Sequence, residues 1–333
     1  PMNTILPAGT RVKTRYAFLV NPVSGSGRGR DVHEQLPASL QSLGVPLDEV
    51  VIEKTTPGDV PAQARRLLGG CSRLVVAGGD GTIGQALEGL RHSGRMDAAL
   101  GVVPLGTGND LARELDLLKV FQRQGLSGLL ALLLEDRIRP LDLWDVDGRA
   151  VMVNYLSFGV DGWITEVFGH SRNLSEGAHS TAGNKLRYVR AGIGSLARHL
   201  PADFSFRATL ADGSILERSL GGRRAFVALN IASYASGLLH PMGTRCDDGL
   251  LTLFTFPRLW SYPALLSTAM VPSVQRWVLR RMPHWHASRL EVAWDGRNAL
   301  QVDGEGRRDL MDRKRLEVVH WGRVQVLSGA GRR

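Results

Sequence analysis

Val75-Val76-Ala77-Gly78-Gly79-Asp80-Gly81-Thr82 is the stretch that decides the fold. The apolar run Leu74–Ala77 passes directly into two glycines and an acid, and apolar residues then recur at helical spacing over Thr82–Leu90. The pattern is strand, tight polar turn, helix. In open α/β sheets ligands gather at such strand ends. Outward from it, Tyr16–Val20, Val50–Glu53 and Leu100–Val103 read as strands, and Gly29–Leu43 and Val60–Leu68 as helices. Pro104–Gly108 turns into a helix from near Asp110, and Leu126–Leu134 reads as a buried helix. This alternation predicts an α/β N-terminal domain with a mostly parallel sheet over residues 1–141.

After Asp142 the pattern changes. Val151–Phe158, Phe204–Leu210, Ala225–Ile231, Leu250–Phe256, Leu290–Trp294, Ala299–Val302, Leu316–Val319 and Val324–Leu327 read as strands separated by turn signals. Helical patterns are confined to Ile164–Gly169, Lys185–His199 and Pro263–Arg281. Residues 142–333 are therefore expected to form a C-terminal β-rich sandwich domain, its tail free to return to the first domain. A chain of 333 residues with 43% hydrophobic content can bury two such cores.

Lys and Arg total 41 against 32 Asp and Glu, a formal charge of +9. The basic excess favours anionic partners such as nucleic acid, an anionic bilayer or nucleotide phosphates, without choosing among them. Two cysteines, Cys71 and Cys246, cannot build a zinc site alone and suggest no disulfide framework, so a reducing, cytoplasmic compartment is expected. No stretch has the form of a signal peptide, and no run of about 18 apolar residues is visible.

Three loops carry candidate chemistry. Asn21-Pro22-Val23-Ser24-Gly25-Ser26-Gly27-Arg28-Gly29 follows a strand and precedes a helix, a combination that suits phosphate. It lacks the Lys-Ser/Thr ending and spacing of a Walker A loop. Around Asp80, glycines allow close approach of a polyphosphate, and Thr82 can cap the helix or bond a phosphate oxygen. An acid beside phosphates needs a bridging cation, hence Mg²⁺. A tight turn with a capping Asp is the simpler alternative. Pro104-Leu105-Gly106-Thr107-Gly108-Asn109-Asp110 repeats the theme, with helix capping again the alternative.

NPVSGSGRG, GGDGT and PLGTGNDLAR, in this order and spacing, resemble the diacylglycerol kinase catalytic family, which includes bacterial and eukaryotic diacylglycerol kinases and sphingosine and ceramide kinases. Asn154–Asp161, Asn184–Tyr188, Leu229–Tyr234, Asp248-Gly249-Leu250 and Gln301–Glu305 resemble that family's accessory domain. The resemblance implies a nucleotide cleft between the two domains, with ATP and Mg²⁺ as cofactors. ATP would be held by Asn21, Ser24, Gly25, Thr55, Gly78, Gly79, Gly81, Thr82, Gly106, Thr107 and Asn109. It implies Asp80, Asp110 and Asp142 as the magnesium acids, with Asp80 also catalytic and Glu305 as general base. Alternatives stay open for some of these: Thr55 can serve a helix cap, Asp142 can be a solvated strand-end acid, and Glu305 can be a turn residue.

The resemblance further implies a membrane-lipid substrate, diacylglycerol first, with ceramide, sphingoid base or phosphatidylglycerol as alternatives. An NAD kinase and a non-enzymatic lipid- or nucleic-acid-binding module are the competing readings. No nucleic-acid partner is expected, and a homodimer is left open. The protein is expected at the inner face of the membrane, bound peripherally to its anionic surface. Leu259–Met282, with Trp260, Tyr262, Trp277, Arg276, Arg280 and Arg281, is the segment suited to that contact. An ordinary core helix explains the same segment equally well.

Overall fold

The computed structural model describes residues 14–95, 97–173, 198–237, 243–256, 272–279, 282–295 and 297–329. The expected helix Lys185–His199, except its end, the stretch Asn184–Tyr188, and Leu259–Met282 outside Pro272–Leu279 and Met282 lie beyond these residues.

The N-terminal part is α/β. Strands β1 (Thr14–Val20), β2 (Val50–Lys54), β3 (Cys71–Gly78) and β4 (Ala99–Pro104) run parallel in the order β2-β1-β3-β4. Helices α1 (Arg28–Ser42), α2 (Val60–Leu68) and α3 (Asp80–Ser93) connect them. Leu74, Val75, Val76 and Ala77 of β3 are all buried although successive side chains point to opposite faces, so both faces of the sheet are covered. Helix α2 buries Val60, Ala64, Leu67 and Leu68, one stripe at helical spacing. The chain leaves β1 toward β2 on one side and later returns to β3 on the other. The switch point between β1 and β3 is where such sheets bind ligands, and the loops after β1, β3 and β4 stand side by side there.

Next come α4 (Asp110–Glu114) and α5 (Leu117–Leu134). Helix α5 is longer than the expected Leu126–Leu134, and by length and composition alone it could cross a bilayer, although Lys119, Gln122, Arg123 and Gln124 interrupt its apolar run. Gly125, at φ 67° and ψ −160°, breaks it. Leu117, Leu129, Leu130 and Leu133 are buried in the core of the α/β region, which accounts for the apolar composition.

The C-terminal part is antiparallel and β-rich. It comprises β5 (Ile138–Val146), β6 (Ala150–Met152), β7 (Tyr155–Gly159), β8 (Ser205–Leu210), β9 (Ile215–Ser219) and β10 (Ala225–Leu229), followed by β11 (Leu251–Phe256), β12 (His284–Ala293), β13 (Leu300–Val302), β14 (Glu305–Gly306) and β15 (Arg315–Leu327). Helices α6 (Val160–Asn173) and α7 (Pro272–Leu279) interrupt it. Strand β10 is apolar throughout because it separates two cores. Phe226 and Ala228 face Trp144, Phe158 and Phe204, while Val227 and Leu229 face Tyr155, Phe254 and Phe256.

Two sequence expectations change here. Val151–Phe158 is cut in two at Val153-Asn154, because the backbone N–H groups of Val153, Asn154 and Tyr155 donate to the Asp303 carboxylate. Leu316–Val319 and Val324–Leu327 are one strand, β15, with an irregularity between His320 and Gly322. Strand β15 pairs with β12 near its start, with β4 near its end and with β5 along its length. It thereby joins the parallel and antiparallel regions into one hydrogen-bonded sheet.

Candidate active site

Short backbone contacts lock the three loops together. The Asn21 N–H donates to the Ala77 carbonyl at 2.8 Å, and the Leu105 N–H to the Gly78 carbonyl at 2.9 Å. Asn21 Nδ2 donates to Thr82 Oγ1 at 3.0 Å, tying the first loop to the start of α3. Gly79 and Gly106 meet back to back: a β-carbon on Gly106 would lie 2.7 Å from the Gly79 α-carbon, a separation only glycine permits. Gly25 approaches the Leu105 carbonyl in the same way. Ser24 is half-buried beside it, and Thr107 is exposed at the tip of the third loop. Thr55 is half-buried after β2, where its N–H donates to the Val20 carbonyl. Gln63, which sequence reasoning missed, shapes that loop by bonding the Thr56 N–H and the Lys54 carbonyl.

The helix caps that stood as the alternative reading of these loops are not made. Helix α3 starts at Asp80 with no side-chain cap, and Thr82 is engaged by Asn21 instead. Asn109 precedes α4 in a left-handed conformation, φ 53°, and its amide closes a ring with the N–H and carbonyl of Gly106. That ring fixes the third loop and aims the Asn109 N–H at Asp80 Oδ2, 2.8 Å away.

Asp80 is the electrostatic centre. Its Oδ1 is shielded from solvent and has no hydrogen-bond partner. Burial, then the neighbouring charge of Asp110, pushes its carboxyl up to about 7, against the pull of the Asn109 N–H, and the charge of Asp303 adds to the rise. A β-carbon on Gly108 would fall 3.0 Å from Asp80 Oδ2 and 3.6 Å from Asp110 Oδ2, so that glycine keeps a space open between the two acids. Asp110 is itself buried, bonded by Ser233 Oγ at 2.6 Å and the Ser236 N–H at 3.1 Å.

Asp303 and Glu305 come from the far end of the chain. Asp303 and Gly304 have φ of 51° and 83° and form a two-residue turn with Val302 opposite Glu305. An Asp-Gly pair with both φ positive is the favoured tight hairpin turn. Asp303 is buried and accepts three backbone N–H bonds, yet burial outweighs them and holds its carboxyl at about 6. The Gly304 N–H donates to Gln301 Oε1, and Gln301 in turn bonds Ser157 and Asp161, a buried network that steadies the hairpin. At its end Glu305 is exposed, with Oε1 2.9 Å from where a Gly81 β-carbon would stand. The loop after β3 and the β13–β14 hairpin therefore meet.

Asp142, expected as a third magnesium acid or a solvated strand end, is placed otherwise. It is fully buried in β5, and both its oxygens are engaged. Oδ1 takes His320 Nε2 at 2.9 Å and Arg323 Nε at 2.6 Å, and Oδ2 takes the Gly249 N–H at 2.6 Å. Besides Asp110, the acid whose charge raises Asp80 is Asp303. Asp303 lies within the quoted Gln301–Glu305 stretch, but its role was not legible there.

The acids fit a divalent cation on two grounds: a buried carboxylate oxygen lacks a partner, and one space faces two carboxylates. Among the described residues no three His, Cys, Asp or Glu side chains close round a point as a ready-made cage. One or two carboxylates completed by phosphate and water is the usual arrangement for Mg²⁺.

The chain matches the model for the diacylglycerol kinase catalytic domain over residues 15–146 and that for the diacylglycerol kinase accessory domain over residues 151–306. It is 27% identical over 288 residues to mouse diacylglycerol kinase iota, covering 76% of this chain and 27% of that protein. It is 30% identical over 186 residues to diacylglycerol kinase 2 of Arabidopsis thaliana, covering 50% of this chain and 26% of the relative. The chain thus spans about a quarter of the length of these curated relatives. A solved diacylglycerol kinase structure from Bacillus anthracis shares the fold, with a TM-score of 0.64 at 17% identity over 94% of this chain and 96% of that one.

Proposed function

The chain belongs to the diacylglycerol kinase family, and from that premise we propose that it is a lipid kinase transferring the γ-phosphoryl group of ATP to the hydroxyl of a membrane lipid, diacylglycerol first. The observation that carries the reading is the approach of Glu305 to Gly81, beside the Asp80 loop. A carboxylate from the antiparallel region there stands over the glycine turn of the parallel region.

In this reading Asn21, Ser24, Gly25, Gly78, Gly79, Gly81, Thr82, Gly106, Thr107 and Asn109 cradle the phosphates, and Thr55 lies beside the nucleotide. Asp80 and Asp110 hold Mg²⁺, which when bound supplies charge neutralisation at the phosphates. Glu305 takes the proton of the lipid hydroxyl as the new O–P bond forms and the bond to the ADP oxygen breaks. The glycine loops keep the reacting groups oriented, and in such transfers positioning supplies much of the rate.

The acceptor lies in a bilayer, so the protein docks on one. Helix α7 exposes Val274 and Trp277, the latter 57% exposed, which suits an interface. A radiolabelled-ATP assay over diacylglycerol, ceramide, sphingosine and phosphatidylglycerol tests the reading, with Asp80→Ala and Glu305→Ala as controls. Label in diacylglycerol that both substitutions abolish is expected. Label in another lipid moves the acceptor, and no labelled lipid overturns the function.

A further inference from the structure

Helix α4 turns three polar side chains toward a single loop of the antiparallel region. Asp110 takes bonds from Ser233 Oγ and the Ser236 N–H. Arg113 donates to the Ser236 carbonyl at 2.9 Å. Glu114 Oε2 accepts the Ala232 N–H at 3.1 Å. Asp110, Arg113 and Glu114 are spaced i, i+3, i+4 and so share one helix face. The loop is anchored from behind by buried Asn230, whose Nδ2 bonds the carbonyls of Asp142 and Val153 and whose Oδ1 accepts from Trp144 Nε1.

The backbone of this loop is strained. Ala235, Ser236 and Gly237 have φ of 53°, 63° and 75°, so two residues that bear a β-carbon are held in the left-handed region. Such conformations persist where the surroundings over-determine them, and they cluster at functional sites. A β-carbon at position 237 would lie 2.3 Å from Arg113 Nε, so any larger residue there must push the Arg113 side chain aside. The strained turn delivers the Ser236 amide to Asp110 and places Ser236 Oγ 3.6 Å from the same Gly108 β-carbon position that Asp80 and Asp110 flank.

We propose that residues 232–237 form a clamp on α4 in which Ser233, with the Ser236 amide, is a positioning element that fixes the Asp110 carboxylate toward Asp80 for the metal–nucleotide complex. The proposal rests on reading Asp80 and Asp110 as the metal-holding pair. Ser233 reaches the metal only through Asp110. A donor behind a ligating carboxylate sets its orientation, and loss of such a partner commonly weakens metal binding by about 10–100-fold.

The test is Mn²⁺ binding to the ADP complex by electron paramagnetic resonance, alongside ADP binding in EDTA, for wild type, Ser233→Ala and Gly237→Ala. Ser233→Ala removes one donor. Gly237→Ala pushes Arg113 and displaces the loop from its far end without altering an acid. Mn²⁺ affinity is expected to fall about tenfold or more in both, with metal-free ADP affinity unchanged. A purely structural role would weaken both ligands together. Equal Mn²⁺ affinity in wild type and variants, or a parallel loss of metal-free ADP, overturns the clamp and leaves the site reading standing. Failure of the wild type to bind Mn²⁺ with ADP removes the site reading and the clamp with it.

Discussion

Glu305 Oε1 lies 2.9 Å from the point that a β-carbon on Gly81 would occupy. The two residues are far apart in sequence and belong to opposite regions of the fold. The contact is made by a two-residue turn on one side and a glycine turn on the other, both short and stiff. In the proposed reaction this is where the proton leaves the acceptor. Glu305→Gln keeps the shape and removes the base. We expect kcat to fall by about 10²–10⁴ with the KM for ATP little changed, measured in a lipid micelle assay.

Gly81→Ala tests the same contact from the other side. The added β-carbon meets the far end of a flexible side chain, so Glu305 can swing away and the fold should hold. The base is then misplaced by an ångström or so, which commonly costs about 10² in rate. The expected outcome is a large loss of kcat with thermal stability close to wild type. Full activity would show that the position of Glu305 does not matter.

Asp142 should matter to stability rather than to chemistry. Burial alone would raise its carboxyl, but bonds from His320, the Gly249 N–H and Arg323 more than offset this and hold it below the usual range. A depressed folded value means the stabilisation is present above the ordinary carboxylate range, near pH 4, and is lost as pH falls through the folded value. Asp142→Asn should cost about 3 kcal/mol at pH 7, the low end for a broken buried pair because its partners are partly exposed. Urea melts should show the gap between variant and wild type closing below about pH 4.

Asp80 and Asp303 predict the opposite slope for the metal-free protein. Burial first, and for Asp80 the nearby Asp110, raise their folded values to about 7 and about 6. A raised carboxyl gives stability that is present below its ordinary value and is lost as pH rises through the folded value. Thermal melts in EDTA should therefore fall between about pH 4 and pH 7. Asp80→Asn should flatten much of that fall, and Mg²⁺ with ADP should restore stability most at the alkaline end. A melting temperature that rises over this window in EDTA would contradict the charge arrangement.

Much of the fold was legible because its signals are local. The apolar run of β3, its glycines and the period of α2 each lie within a few residues, and the structure has them close to where the sequence puts them. Partners distant in sequence were not legible. Asp303 binds the amides of Val153 to Tyr155 across about 150 positions, and that distant bond breaks a strand that reads as continuous. Asp142 finds His320 and Arg323 at separations of 178 and 181. Alone at a strand end it looks like a free ligand, and only the fold reveals that Arg323 already pairs with its charge. Asp80 stood out because it lies among glycines at a strand end, whereas Asp110 and Glu305 were picked out through the family resemblance; the fold sets Asp110 across Gly108 from Asp80 and Glu305 against Gly81.

In the proposed reaction Asp80 and Glu305, from the two regions, serve one phosphoryl transfer to a lipid hydroxyl. The direct measurement is the fate of label from γ-³²P-ATP with purified protein, Mg²⁺ and diacylglycerol in mixed micelles, for wild type, Asp80→Ala and Glu305→Ala. Label in the lipid phosphate is expected for wild type, with a loss of about 10² or more in each variant. Labelled lipid formed equally well without Glu305, or no labelled lipid with any acceptor, would contradict it.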